Sequence, residues 1–246
     1  MSGPYISILL LSWDRYDLLV KTLNHNLSVI NYPYELLICD QGSKDKKVLD
    51  FLETKESMYF RKNSKNEGIG KSFNQLYLRS HGKYIALMSN DILWPANWGS
   101  TMVEWLEKVP NAGLCAFEWW NWLMPPLKKK FGYEAYWLAA DKNRVYGPMM
   151  FKRYVVEQVG LAPESFGPYG EDFDFNERVN RAGFNSFYIP GVKAQHLGDD
   201  VGEQTEYRKM KDASVGPNLD LFWKRHALWE QGESIREPLP PLRDPL

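Results

Sequence analysis

The chain has 246 residues, of which 44% are hydrophobic and 15% aromatic, enough to bury a large core as a single domain. Thirty basic residues face 31 acidic ones, so the molecule as a whole has no strong field for nucleic acid or an anionic membrane. No apolar run approaches the ~18 residues that span a bilayer, and the start lacks a basic segment before its short apolar run, so a soluble, cytoplasmic protein is expected.

In chain order, four short apolar runs read as buried strands: 5–11 (YISILLL), 34–39 (YELLIC), 84–88 (YIALM) and 112–117 (AGLCAF). The stretches 15–29, 44–55 and 69–80 between them have helical periodicity, for example Leu18, Leu19, Thr22 and Leu23. Strand alternating with helix predicts an α/β fold with a mainly parallel sheet covered on both faces. Ligands of such sheets bind beyond the carboxyl ends of the strands, and the segments there are polar: SWDR after the first run, DQGSKD after the second, SND after the one ending at Met88. Cys39 and Cys115 sit inside apolar runs and read as buried, reduced thiols rather than a disulfide or a metal site.

The second half is less regular. Residues 117–137 are rich in tryptophan and carry a Pro-Pro break, which reads as a surface excursion. Residues 172–182 read as a short helix with Phe175 and Val179 on one face and Gly183 as its stop. The final REPLPPLRDPL reads as an extended tail.

Several motifs suggest chemistry. NEGIGKS (66–72) fails the Walker pattern, because Lys65 stands where a glycine belongs, and fails the dinucleotide fingerprint at Phe73. Gly68 and Gly70 then serve a close backbone approach or the turn into the helix that follows. Asp91 follows an apolar strand, where a carboxylate suits Mg²⁺ or Mn²⁺ bridging phosphates, and His196 is a second candidate ligand. GPYGEDFDFNE (167–177) gathers Glu171, Asp172 and Asp174 at a helix start, where acids complement the unpaired N–H groups.

The ordered series ISILLLSWDR, ELLICDQGSKD, NEGIGKSFN, GKYIALMSND, GEDFDFNERVNRAG and PGVKAQH resembles family-2 glycosyltransferases of the GT-A fold, particularly the rhamnosyltransferase-like branch, over about residues 5 to 200. The resemblance implies a Rossmann-like GT-A domain over 1–230, with a nucleotide-binding half (1–110), an acceptor-side half (111–230) and a proline-rich tail (231–246). It implies a nucleotide-sugar donor, with Asp40 on a pyrimidine base, and with Ser12, Trp13, Asn66, Lys71 and Asn90 lining the donor pocket. Asp91 matches the last acid of the metal motif and His196 a histidine that joins the metal, Mn²⁺ or Mg²⁺. Ser89 replaces the motif's first acid, leaving Asp91 as its only anion, so donor phosphates must complete the metal's shell.

GEDFDF is similar to the family's acceptor-side acidic motif, which implies Asp172 as the base of an inverting transfer and Glu171 as its partner at the acceptor. The helical turn decides which of the two faces the sugar, and Asp174 reads as a helix-start residue. Trp119, Trp120 and Trp122 are candidates to stack on the acceptor, which is a glycan, a glycolipid or a modified DNA base. Two other classes remain on the page: a catalytically inactive nucleotide- or glycan-binding relative, and a nucleotidyltransferase. The second would need a glycine- and arginine-rich triphosphate loop, and SWDRYD is not one.

Overall fold

The computed structural model describes residues 6–57, 59–119, 127–130, 135–138, 145, 147–166, 170–198 and 206–233. Strand β1 (Ile6–Ser12) is buried on both faces, as a central strand of a covered sheet must be. Its side chains alternate between two cores. Ile6, Ile8 and Leu10 join one cluster and Leu9 the other, and in β2 (Tyr34–Asp40) Leu36 and Ile38 face the first while Leu37 and Cys39 face the second. Helix α1 (Tyr16–Ser28) covers the first face through Leu19, Thr22, Leu23 and Asn26, and α2 (Lys46–Glu53), capped by Asp45, adds Val48 and Leu52 one turn apart.

The chain continues through β3 (Tyr59–Lys62), α3 (Ile69–Tyr77), β4 (Tyr84–Ser89), β5 (Ile92–Leu93), α4 (Trp98–Lys108) and β6 (Ala112–Trp119). Then come β7 (Leu127–Lys130), β8 (Ala135–Leu138), β9 (Met149–Lys152), α5 (Arg153–Val159), α6 (Glu171–Arg181), β10 (Asn185–His196) and α7 (Glu206–Glu230). The sheet runs β3-β2-β1-β4-β9-β6-β10-β8-β7. Its first four strands are mutually parallel, as are β6 and β10, while β9 is antiparallel to both of its neighbours. The expected mixed α/β sheet is therefore present, and each sequence-predicted strand and helix lies within a few residues of its expected place.

Two expectations need correction and a third is extended. The excursion at 117–137 is partly sheet, since β6 extends to Trp119 and β7 and β8 pair antiparallel beside β10. Gly70 serves packing rather than a ligand: a Cβ there would lie 2.6 Å from the Pro163 carbonyl oxygen, while Asn74 on the next turn exchanges two hydrogen bonds with Ala162. Gly68, with φ at 87°, turns the chain into α3. The third concerns Asp174, which is fully buried and joins Arg178 Nε at 2.8 Å to Arg225 Nε of α7 at 2.7 Å. It stands in the first turn of α6, as expected, and there also acts as a hub between two helices.

Helix α7 has no counterpart in the sequence reading. It seats Phe222 and Trp229 beside Phe166 and packs Phe222 on Phe173 of α6. Both cysteines are buried and free as expected, and burial raises the Cys39 thiol to about 11 and the Cys115 thiol higher still. The proline-rich tail beyond residue 233 lies outside the described residues.

Candidate active site

The carboxyl ends of β1, β2 and β3 open into a cleft of about 580 Å³, lined by Trp13, Gly42, Ser43, Lys44, Lys62, Asn63, Ser64, Lys65, Asn66 and, from α7, Met210. Trp13 and Asn66, two of the candidates, thus share one cleft with three lysines that the sequence reading did not single out. Asn66 accepts the Gly68 amide at 2.9 Å, which shapes the turn between the cleft and α3. Gly42, with φ at 80°, brings the two walls together: a Cβ there would lie 2.7 Å from Lys65 Cα.

Other donor-side candidates take different places. Asp40 is fully buried, and its carboxylate accepts the amides of Gly42 (3.1 Å) and Ser43 (2.9 Å) and the Ser43 hydroxyl. These bonds shape the 41–43 turn, with both amides on Oδ1 and the hydroxyl on Oδ2. Lys71 is not among the residues lining the cleft; its Nζ pairs with Glu67 at 2.9 Å across one helical turn. Ser12 is 2% exposed, and its hydroxyl has no hydrogen-bond partner among the described residues, an orphan donor at the β1 terminus beside the cleft. Asn90 reaches the Asp14 carbonyl at 3.4 Å.

Asp91 is held by α1. Asn26 donates to the Ile92 carbonyl (2.9 Å), accepts the Trp94 amide (2.8 Å), and offers its own carbonyl to Trp98 Nε1 (2.9 Å). Antiparallel pairing of His196 with Ile92, and the Leu197 amide on the Asp91 carbonyl, then bring His196 Nε2 to 3.4 Å from Asp91 Oδ2. The same oxygen receives Arg15 Nη1 at 2.8 Å. Burial pushes the Asp91 carboxyl upward, but the His196 hydrogen bond and the charges of His196 and Arg15 outweigh it and hold the group at about 2. No three His, Cys, Asp or Glu side chains converge among the described residues. Asp91 and His196 therefore fit a divalent ion only as two ligands of a shell that a diphosphate completes, the usual arrangement for ions that keep phosphate oxygens.

Helix α6 begins after Gly170, whose φ of 96° lets the chain turn sharply. Glu171 and Asp172 both line one largely apolar crevice with Ile69, Phe73, Leu87, Met149, Phe151, Ala162 and Phe175. The turn of the helix therefore does not choose between the two acids. Residues 66 to 69 link the two cavities, with Asn66 on the cleft and Ile69 on the crevice. Trp120 and Trp122 lie outside the described residues, as does the side chain of Trp119.

Arg15 is the main residue that sequence reasoning missed. It belongs to the polar SWDR segment that follows β1, so its position was flagged although its partner could not be. Asp14 and Arg15 both adopt left-handed backbone, with φ of 46° and 58°, and the Asp14 carboxylate accepts the amides of Lys44 and Asp45 across the cleft mouth.

The structure is similar to a mannosyltransferase from Pyrobaculum calidifontis solved with GDP-Man and Mn²⁺, with a TM-score of 0.62 and 19% identity over 82% of this chain and 59% of that one. It is also similar to GalNAc-T7 with UDP, GalNAc and Mn²⁺ (0.63, 14%, 89% and 50%) and to TarS of S. aureus (0.64, 13%, 90% and 43%). These likenesses establish the GT-A fold. Among curated proteins, a glucosyl-dolichyl phosphate glucuronosyltransferase of Haloferax volcanii is 25% identical over 178 residues, 65% of this chain and 56% of that protein. The chain thus spans little more than half the length of that relative. Nothing among these similarities supports a modified DNA base as acceptor. No described helix is long and apolar enough to cross a membrane. The model of glycosyl transferase family 2 matches residues 7–159, well over half of the sequence and including the strand ends that form the cleft, and the chain belongs to that family.

Proposed function

We propose that this chain is an inverting glycosyltransferase that moves a hexosyl or deoxyhexosyl group from a UDP- or dTDP-linked donor to a hydroxyl of a glycan or glycolipid. The observation that carries the reading is the carboxylate pair Glu171 and Asp172 on one crevice, joined through residues 66–69 to a lysine-lined cleft at the strand ends. UDP in GalNAc-T7 supports a pyrimidine donor while GDP-Man in the Pyrobaculum enzyme supports a purine one, so the choice of UDP or dTDP rests on the family resemblance at Asp40; the name of the Haloferax relative supports a glycolipid acceptor.

In the proposed reaction the nucleoside diphosphate lies in the cleft, its negative charge met by Lys44, Lys62 and Lys65. Asp172 takes the proton from the acceptor hydroxyl as that oxygen attacks the anomeric carbon from the opposite face. The bond from that carbon to the diphosphate oxygen breaks, and the electron pair leaves with the nucleotide. A divalent ion held with the diphosphate by Asp91 and His196 would supply further positive charge to the leaving group. The apolar wall of the crevice excludes water that would otherwise compete as acceptor.

Mass spectrometry of reactions with a panel of nucleotide sugars and acceptors identifies the transfer, and single-turnover kinetics on two variants tests the acids. Asp172→Asn keeps shape but cannot accept the proton, so turnover is expected to fall by roughly 10² to 10⁴ with donor binding near normal. Glu171→Gln is expected to weaken acceptor affinity more than turnover. An Asp172→Asn protein that turns over normally refutes its role, and a failure of every donor to react refutes the enzyme reading in favour of a binding protein.

A further inference from the structure

The Asp91 carboxylate already carries a cation. Arg15 Nη1 lies 2.8 Å from the oxygen that His196 Nε2 also faces, and the Arg15 and Asp91 side chains are only 17% and 12% exposed. The backbone itself aims this guanidinium. Two consecutive non-glycine residues in the left-handed region, Asp14 and Arg15, are a strained arrangement that persists only where the surroundings enforce it. Here the enforcement is visible, because the Asp14 amide donates to Ser43 Oγ at 2.8 Å and its carboxylate accepts the Lys44 and Asp45 amides. An independent feature lies on the other side. Gly198 leaves room for the pair: a Cβ there would overlap Arg15 Nη2 and stand 2.8 Å from Asp91 Oδ2.

We infer that Arg15 is a resident counter-cation that holds the place of the divalent ion on Asp91 while the donor is absent, and that moves onto the donor's diphosphate when ion and donor bind. The inference rests on the donor and metal reading above. A divalent ion on Asp91 Oδ2 would stand about 2–2.5 Å from that oxygen, against a guanidinium nitrogen already 2.8 Å away. A dication and a guanidinium competing for one carboxylate oxygen repel strongly in a site this withdrawn from water, so the two occupants disfavour each other. A diphosphate gives the displaced guanidinium the partner it binds best, a pair of anionic oxygens matched to its planar fork. The exchange means that an ion without donor meets a filled site, and that ion and donor enter together.

Mn²⁺ binding is read from the electron paramagnetic resonance signal of the free ion, without nucleotide and then with UDP, and UDP binding is read by calorimetry. Arg15→Met is expected to bind Mn²⁺ without nucleotide about tenfold or more tighter than the unaltered protein, and UDP with Mn²⁺ about tenfold more weakly. Arg15→Lys, with charge but no fork, is expected to fall between on both measures. Thermal melts check that each variant folds. Equal Mn²⁺ affinity in the unaltered and Arg15→Met proteins, with binding lost in Asp91→Ala, overturns this inference and leaves the metal reading standing. Absence of Mn²⁺ binding in every protein even with UDP overturns both.

Discussion

Replacing Asp174 by Asn separates two accounts of the acidic cluster by magnitude. A carboxylate that only complements the start of a helix contributes about 0.3–1 kcal/mol. Asp174 is instead fully buried between Arg178, 4% exposed, and Arg225, 12% exposed, with one oxygen on each guanidinium. Removing one partner of a buried ion pair costs about 3–5 kcal/mol, because the remaining charge has left water without compensation. Arg178 retains the carbonyls of Val159 (2.7 Å) and Gly160 (3.0 Å), so the larger share of the loss falls on the contact to α7. For a chain of this size the expected loss lowers Tm by about 6–20 °C. Urea titration and calorimetry of Asp174→Asn, Arg225→Met and the double variant give the loss and the coupling, which is expected to exceed about 1 kcal/mol for residues in direct contact. A loss below about 1 kcal/mol for Asp174→Asn, or additive single variants, refutes the hub.

Two further perturbations test the strand ends and the cleft. Glu35 is buried and accepts the Ser7 hydroxyl and the His81 and Gly82 amides, with His81 Nδ1 at 3.3 Å. Burial pushes its carboxyl up, but these hydrogen bonds together bring it below its ordinary value of 4.5. A depressed folded value means that its contribution is present above about pH 4.5 and is lost as pH falls through the folded value, so urea titrations of Glu35→Gln are expected to show a flatter acid limb; an unchanged limb rejects the account. Gly42→Ala is expected to cost about 1–3 kcal/mol and to weaken UDP binding at least tenfold, because its Cβ meets the Lys65 backbone at φ 80°. Gly183→Ala, at φ 84° with open space around it, carries the conformational cost without the loss of binding, and equal effects of the two on calorimetric UDP affinity contradict the role given to the cleft wall.

The first half of the fold was legible because its elements announce themselves locally. The runs that became β1, β2 and β4 are apolar on both faces, and Val48 with Leu52 or Phe175 with Val179 mark helical stripes. Helix α7 was illegible for the same reason in reverse. Pro217 lies inside it, yet the helix runs on because Phe222, Arg225 and Trp229 are anchored on α6 and Phe166, and that anchoring is tertiary. In the site, Asp91 and His196 are 105 positions apart in numbering, and only the pairing of β5 with β10 joins them; family resemblance supplied that link where periodicity could not. Asp40 shows the opposite case. Its place after β2 is legible, but a sequence does not reveal that the Gly42 and Ser43 amides and the Ser43 hydroxyl fold around its carboxylate.

Helix α7 touches the cleft at Met210 and the acid-bearing helix at Arg225, so its length acts as a ruler between two cavities. Each residue of helix advances about 1.5 Å and turns about 100°. Adding or deleting a single residue between those two anchors would swing one of them to a different side of the rod, whatever the residue's identity. Exposed side chains along this stretch touch neither anchor, so the spacing depends on the number of residues and not on which they are.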